Sequence, residues 1–160
     1  MKNKIISFFA GIVISIYSFG ASAVTEVVWW DFLGGGDGVR MKQMIDNFNE
    51  AHPDIQINAT TLEWGVPFYT KVQTSAAVGE QPDIMTYHLS RFPLAVPTGV
   101  LRPISAEELA SVGITADRFF PANWEAANFG GATHGVPLDI HANVMYFNAE
   151  VLGEAGLLDE

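Results

Sequence analysis

The sequence has no cysteine and few basic residues. Of its 160 residues, 8 are Lys or Arg and 18 are Asp or Glu, which gives a formal net charge of −10. Without cysteine the chain can form no disulfide, no thiolate metal site and no cysteine nucleophile. A surface with this charge repels nucleic acid and anionic membranes. We therefore expect neither of them as a partner.

The signatures of several enzyme classes are missing too. The sequence contains no G-x-S-x-G and no H-E-x-x-H, and its glycine-rich loop lacks the Lys-Ser/Thr of a P-loop. His134 and His141 are too far apart for a metal pair on one helix. We expect no enzyme, no cofactor and no metal. One alternative stays open, a periplasmic carbohydrate hydrolase, which needs two opposed carboxylates from among Asp31, Glu63 and Asp139.

The N-terminal segment is typical of a secretory signal peptide. A basic start at residues 1–4 precedes an apolar run at 5–19 and the small residues of 20–23. The run is shorter than the roughly 20 residues that a membrane-spanning helix needs. We predict a signal peptide over residues 1–23, cleaved after Ala23, and a periplasmic protein without a membrane anchor.

A strand, a glycine-rich loop and a helix open the mature sequence. Residues 26–32 are almost continuously apolar, as in a buried parallel strand. Four glycines lie within residues 34–38, and Asp37 or Gly38 can cap the helix that follows. In open α/β sheets, ligands bind outside the carboxyl ends of the strands. The apolar stripe of the helix comprises Met41, Met44, Ile45 and Phe48.

The pattern of strand and helix then repeats. Residues 55–61 alternate as a second strand, and His52 before Pro53 ends the first helix. A second helix has Pro67 in its first turn and ends at Gly79, and a third strand covers residues 84–88. This order predicts parallel βαβ units and an α/β sheet.

The remaining sequence is less regular. Ser105 and Glu108 form a capping-box pattern at the start of a short helix. We predict a helix over residues 115–127 and a strand over 144–147, whose Tyr and Phe join the core. A last helix, capped by Asn148, closes at Gly156.

Three blocks of the sequence resemble one family. The first block is the opening strand and loop, followed by Phe-Asn-x-x-x-Pro-Asp-Ile at residues 48–55. The second is Gln-Pro-Asp-Ile at residues 81–84, followed by Tyr87 and Arg91. The third covers residues 135–148 and is followed by Ala-Gly-Leu at 155–157. They are similar to the family 1 extracellular solute-binding proteins, the maltose-binding-protein-like sugar receptors of ABC importers. The blocks occur in the family's order and span most of the mature chain.

The resemblance implies a periplasmic-binding-protein-like (type II) α/β fold with two lobes that close around a ligand. Residues 24–134 would supply an incomplete first lobe, 135–143 a crossing strand, and 144–160 the start of a truncated second lobe. The expected protein is a monomer that captures a carbohydrate and delivers it to the permease of an ABC importer. A receptor for a polyamine, caged by acids and aromatic rings, or for a phosphorylated polyol stays open as an alternative.

The candidate ligand contacts follow the three strands and lie on the crossing strand. An aromatic plane suits the C–H face of a sugar and a carboxylate suits its hydroxyls, although one of the two adjacent tryptophans must belong to the core. Glycine lets the backbone approach a ligand, and Arg91 either binds ligand or pairs with a nearby acid. The predicted contacts are Trp30, Asp31, Gly35, Gly36, Glu63, Trp64, Tyr87, His88, Ser90, Arg91, Asp139 and His141.

Overall fold

A three-stranded parallel sheet forms the centre of the protein. The computed structural model describes residues 23–141 and 144–158, so the predicted signal peptide, apart from Ala23, lies outside the described residues. Strands β1 (Thr25–Asp31), β2 (Ile55–Thr61) and β3 (Ile84–Met85) occur in the order β2-β1-β3. β1 pairs in parallel with both neighbours. The predicted parallel βαβ arrangement is confirmed.

Two long helices, α1 (Gly35–Ala51) and α2 (Val66–Ala77), connect these strands. Pro67 lies in the first turn of α2 as predicted, where a missing N–H costs nothing. Phe68 and Val72 of this helix are completely buried. The core cluster joins both helices to the end of β1 and contains Phe32, Leu33, Met41, Ile45, Phe68, Tyr69 and Val72.

The first turn of α1 differs from the prediction. The helix begins at Gly35, with Gly34 as its N-cap, rather than at Asp37 or Gly38. A side chain at Gly38 would overlap the carbonyl oxygen of Leu33, so the helix packs directly against its own loop. The end of α1 before Pro53 is confirmed.

Only part of the predicted stripe of α1 lies in the core. Met41 and Ile45 are buried, whereas Met44 is 61% exposed. Phe48 is half-buried and stacks on His52 with the ring centroids 4.4 Å apart. The three-stranded sheet is too narrow to cover the whole stripe.

Asn49 fastens α1 to the edge strand β2. Its side-chain amide donates to the carbonyl oxygen of Ile57 at 3.0 Å, and its oxygen accepts from the N–H of Ile57 at 2.8 Å. Both groups point away from β1 and would otherwise be unpaired on the free edge of the sheet.

The segment after β3 was predicted as a longer strand. β3 ends at Met85, and a 3₁₀ turn (Leu89–Arg91) and α3 (Phe92–Ala95) follow. Residues 86–88 continue beyond the sheet edge and bring Tyr87 and His88 toward the end of β1.

Short elements follow in the second half. The capping box of α4 (Ala106–Ser111) is confirmed. The predicted helix over residues 115–127 is two pieces, a 3₁₀ turn (Ala116–Arg118) and α5 (Pro121–Ala126), because proline favours the first turn of a helix over its interior. The antiparallel pair of β4 (Asn128–Phe129) and β5 (Ala132–Thr133) closes this region.

The strand predicted at residues 144–147 is wrong for this structure. No described strand lies beside it to pair with, and Tyr146 and Phe147 are 94% and 57% exposed rather than in the core. Asn148 caps α6 (Ala149–Glu154) as predicted, and its side-chain oxygen accepts from the N–H of Val151 at 3.2 Å. Within the described part of the chain, no helix combines the length and apolarity needed to cross a membrane.

Candidate functional site

An open pocket lies at the carboxyl end of the parallel strands. Its volume is about 420 Å³. The walls come from the segments after β1, β2 and β3 and from the predicted crossing strand, because the ends of parallel strands meet at one edge of the sheet. The lining residues are Phe32, Leu33, Gly34, Asp37, Trp64, His88 and His141.

The structure brings three of the predicted contact residues together in this lining. Trp64, 67% exposed, follows β2. His88 lies in the segment after β3, and His141 lies within the predicted crossing strand. The other four lining residues, Phe32, Leu33, Gly34 and Asp37, were not predicted as contacts. Phe32 and Leu33 extend an apolar run, and Asp37 lies in the first turn of α1, so these residue types do not suggest a pocket.

His88 has a fixed place in the wall. Its ring stacks on Phe32, with centroids 4.8 Å apart and planes 9° from parallel. Its Nδ1 atom is hydrogen-bonded to the hydroxyl of Tyr69, a buried residue of α2. Burial lowers the pKa of His88, the positive charges of His141 and Arg91 lower it further, and Asp139 opposes the shift.

An aromatic cluster supports His88 from behind. Tyr69 and Tyr87 meet edge to face at 5.1 Å, and the guanidinium carbon of Arg91 lies 4.5 Å from the centre of the Tyr69 ring. Burial raises the pKa of Tyr69 and of Tyr87, although Arg91 opposes both shifts. Tyr87 and Arg91 therefore contact the group that holds His88 and do not line the pocket.

The predicted pair on the crossing segment is present. His141 Nε2 lies 3.1 Å from the Asp139 carboxylate, and the His141 ring is 6.4 Å from that of His88. Both members of the pair are exposed. Asp139 also lines a second, more apolar groove of about 560 Å³ beside α5.

The residues predicted at the end of β1 lie outside the pocket lining. Asp31 is 3% exposed, and its carboxylate accepts from the N–H of Leu33 at 2.9 Å, so it shapes the loop. Trp30 lies under Lys71 of α2, whose nitrogen is 4.8 Å from the ring centroid. The other four predicted contacts, all outside the lining, are Gly35 and Gly36 in the first turn of α1 and the exposed Glu63 and Ser90.

The fold is of the α/β type, with an open pocket at the carboxyl ends of its parallel strands. The model of the bacterial extracellular solute-binding protein family matches residues 35–159. The chain belongs to this family, which confirms the family predicted from the sequence. Membership implies a location outside the cytoplasm.

Characterised relatives are named for sugars and a polyol. The chain is 26% identical over 145 residues to an arabinooligosaccharide-binding protein of Halalkalibacterium halodurans, covering 89% of this chain and 32% of the relative. It is 25% identical to a mannitol-binding protein of Pseudomonas aeruginosa, covering 78% and 28%. The chain thus spans about a third of the length of the curated relatives it matches.

Solved structures share the fold. One is the galacto-N-biose/lacto-N-biose I-binding protein of an ABC transporter from Bifidobacterium longum, with a TM-score of 0.61 and 23% identity over 73% of this chain and 29% of that chain. A designed esterase also matches, with a TM-score of 0.66 and 21% identity over 83% and 32%. The predicted class, periplasmic-binding-protein-like (type II), is confirmed.

Proposed function

We propose that the protein captures a carbohydrate in the pocket at the carboxyl end of the sheet. The observation that carries this proposal is the exposed indole of Trp64 beside the polar edges of His88 and His141. An aromatic face suits the C–H face of a sugar, and the polar groups suit its hydroxyls. A volume of about 420 Å³ is within the usual range of small-ligand sites.

The captured sugar is delivered to the permease of an ABC importer. This role is supported by relatives named as binding proteins and by the ABC transporter of the Bifidobacterium longum protein. In this proposal the signal peptide is cleaved after Ala23 and the monomeric protein works in the periplasm. Residues 24–134 belong to the first lobe, 135–143 cross between the lobes, and 144–160 begin the second.

The alternatives find less support in the pocket. A polyamine needs several carboxylates in the wall, and among the described lining residues only Asp37 is acidic, with its carboxylate 3.7 Å from Arg40. A phosphorylated polyol needs a cation in the wall, and Arg91 lies over the Tyr69 ring instead. We therefore propose a neutral carbohydrate as the ligand in preference to a polyamine or a phosphorylated polyol.

The positions of the three candidate carboxylates do not favour hydrolysis. Asp31, one of the three carboxylates considered, is buried and bonded to the backbone of Leu33. Neither Asp139 nor Glu63 lines the pocket, so these three carboxylates supply no opposed pair across it.

A thermal-shift panel tests the function. The ligands are an arabino-oligosaccharide, lacto-N-biose, mannitol, mannitol phosphate and putrescine, each at several concentrations. A bound ligand stabilises the folded chain by about RT ln(1 + [L]/Kd), so a concentration-dependent rise in Tm with a neutral carbohydrate is expected. A rise with putrescine alone would contradict the proposal. Chromatography of the incubated oligosaccharides checks for cleavage, and turnover would replace binding with hydrolysis.

A further inference from the structure

We propose that Tyr69 is a positioning residue that holds His88 in its neutral Nε2–H tautomer, so that the pocket offers an N–H donor to a ligand hydroxyl. This inference rests on the proposed function only for the identity of the ligand. The tautomer itself is a property of the ligand-free protein.

Two contacts fix the orientation of the imidazole. One face of the ring is covered by Phe32 at 4.8 Å, and Nδ1 is bonded to the Tyr69 hydroxyl. Because His88 lines the pocket and its Nδ1 edge is already bonded, Nε2 is the ring nitrogen left for a ligand. Phe32 and Tyr69 both belong to the core cluster, so the ring is held from two rigid sides.

The local charges decide the direction of the Tyr69–His88 bond. Burial raises the pKa of Tyr69, which keeps the proton on the phenol, and the Arg91 guanidinium, 4.5 Å from the centre of the phenol ring, disfavours a second proton on the imidazole. Tyr69 then donates to Nδ1, which must be unprotonated to accept. A neutral imidazole that accepts at Nδ1 carries its hydrogen on Nε2.

The other charged groups near His88 act in both directions, and His141 and Arg91 outweigh Asp139. His141, at 6.4 Å, adds positive charge when it is protonated, and its partner Asp139 compensates for part of that charge. The ring of Tyr87, the preceding residue, packs against Tyr69, and Asp37 lines the same pocket as His88. Burial is the largest influence on the pKa of His88 and lowers it, which extends the pH range of the neutral form.

Nitrogen-15 NMR of the imidazole rings tests this inference in the full chain without ligand. Long-range ¹H–¹⁵N spectra at pH 8 distinguish the two tautomers, and His88→Gln assigns the signals. We expect an unprotonated Nδ1 and a protonated Nε2 in the native protein. Tyr69→Phe, which retains the buried ring, should shift both signals toward the tautomer average.

Tyr87→Phe is the control for the tautomer measurement. It removes a neighbouring hydroxyl from the same cluster and should leave the His88 signals unchanged. A native protein with a protonated Nδ1, or a Tyr69→Phe spectrum identical to the native one, would overturn the inference. A Tyr87→Phe spectrum that changes as much as that of Tyr69→Phe would do the same.

Affinity gives a second readout once a ligand is known. Losing the hydrogen bond that orients His88 should weaken sugar binding by about five-fold in Tyr69→Phe, the size expected for one hydrogen bond. An unchanged affinity would contradict the positioning role. Failure of every sugar to bind the native protein would reject the proposed function, and the NMR result would still decide the tautomer.

Discussion

The imidazole of His88 lies parallel to the phenyl ring of Phe32, with a centroid separation of 4.8 Å and an interplanar angle of 9°. The two residues follow neighbouring parallel strands, β1 and β3. Their stacking joins the core to the pocket, since Phe32 is buried and His88 is half-buried.

The free energy of unfolding should fall as the pH is lowered, because of His88. Burial lowers the pKa of His88 in the folded protein, so the unfolded chain binds more protons between the folded pKa and the ordinary value of about 6.5. The unfolding free energy is therefore highest above about pH 6.5, where His88 is neutral in both states. It falls as the pH drops toward the folded pKa. Urea unfolding between pH 8 and pH 5 measures this slope.

His88→Gln should flatten that slope. The matched control is His52→Gln, which removes an exposed histidine at the far end of α1 and should retain the slope. Equal slopes in the native protein and His88→Gln would show that other groups govern the acid response.

Trp64→Ala should weaken carbohydrate binding while leaving the unfolding free energy nearly unchanged. The indole is 67% exposed, so the fold gains little from it. If its contact with a sugar equals that of an aromatic pair, about 0.5–1.5 kcal/mol, its loss raises Kd roughly two- to twelve-fold. Calorimetric titration measures the Kd. The control is Val66→Ala, which truncates a side chain of similar exposure two residues away, outside the pocket lining. Equal losses in the two variants would disprove a specific role for Trp64.

Gly38→Ala should destabilise the protein by about 1–3 kcal/mol. Its Cβ would overlap the carbonyl oxygen of Leu33, and relief of this overlap requires the backbone at the start of α1 to move. Gly36→Ala is the control, because a Cβ there meets open space and alanine favours a helix by up to about 1 kcal/mol. Denaturant unfolding compares them, and a neutral Gly38→Ala would show that the loop adapts freely.

Asn49→Ala should cost about 1–3 kcal/mol of unfolding free energy. The substitution removes both hydrogen bonds to Ile57 and leaves part-buried backbone groups of the edge strand unpaired. Asn47→Ala breaks only an exposed bond to Gln43 and is the control. If both variants unfold at the same urea concentration, the Asn49 bonds contribute nothing beyond the exposed pair.

The regular part of the fold could be predicted from sequence because its signals are local. The bounds of β2, the capping box at Ser105 and the helix stop before Pro53 each depend on a few neighbouring residues. The predicted start of α1 was wrong because both glycine and aspartate are common N-caps. The prediction favoured Asp37 or Gly38, whereas Gly34 is the N-cap in the structure.

The pocket was harder to predict because it depends on contacts between distant segments. Sequence placed Trp64, His88 and His141 at the correct edge, since each follows a strand or lies on the crossing segment. It could not show that Asp31 bonds to Leu33 or that Trp30 lies under Lys71, because both are set by the packing of α2 and the loop. The sequence did not indicate a role for Tyr69, because the apolar pattern of α2 predicted only residues that pack in the core.

The separation between sheet and pocket wall has an evolutionary consequence. Hydrogen bonds between backbone groups hold the strands together, whereas Trp64, His88 and His141 extend from segments outside those pairings. The exposed Trp64 and His141 can therefore change without breaking the sheet, whereas Phe32 of the same wall belongs to the core. Selection can therefore change the pocket lining one residue at a time while the backbone pairing of the sheet is kept.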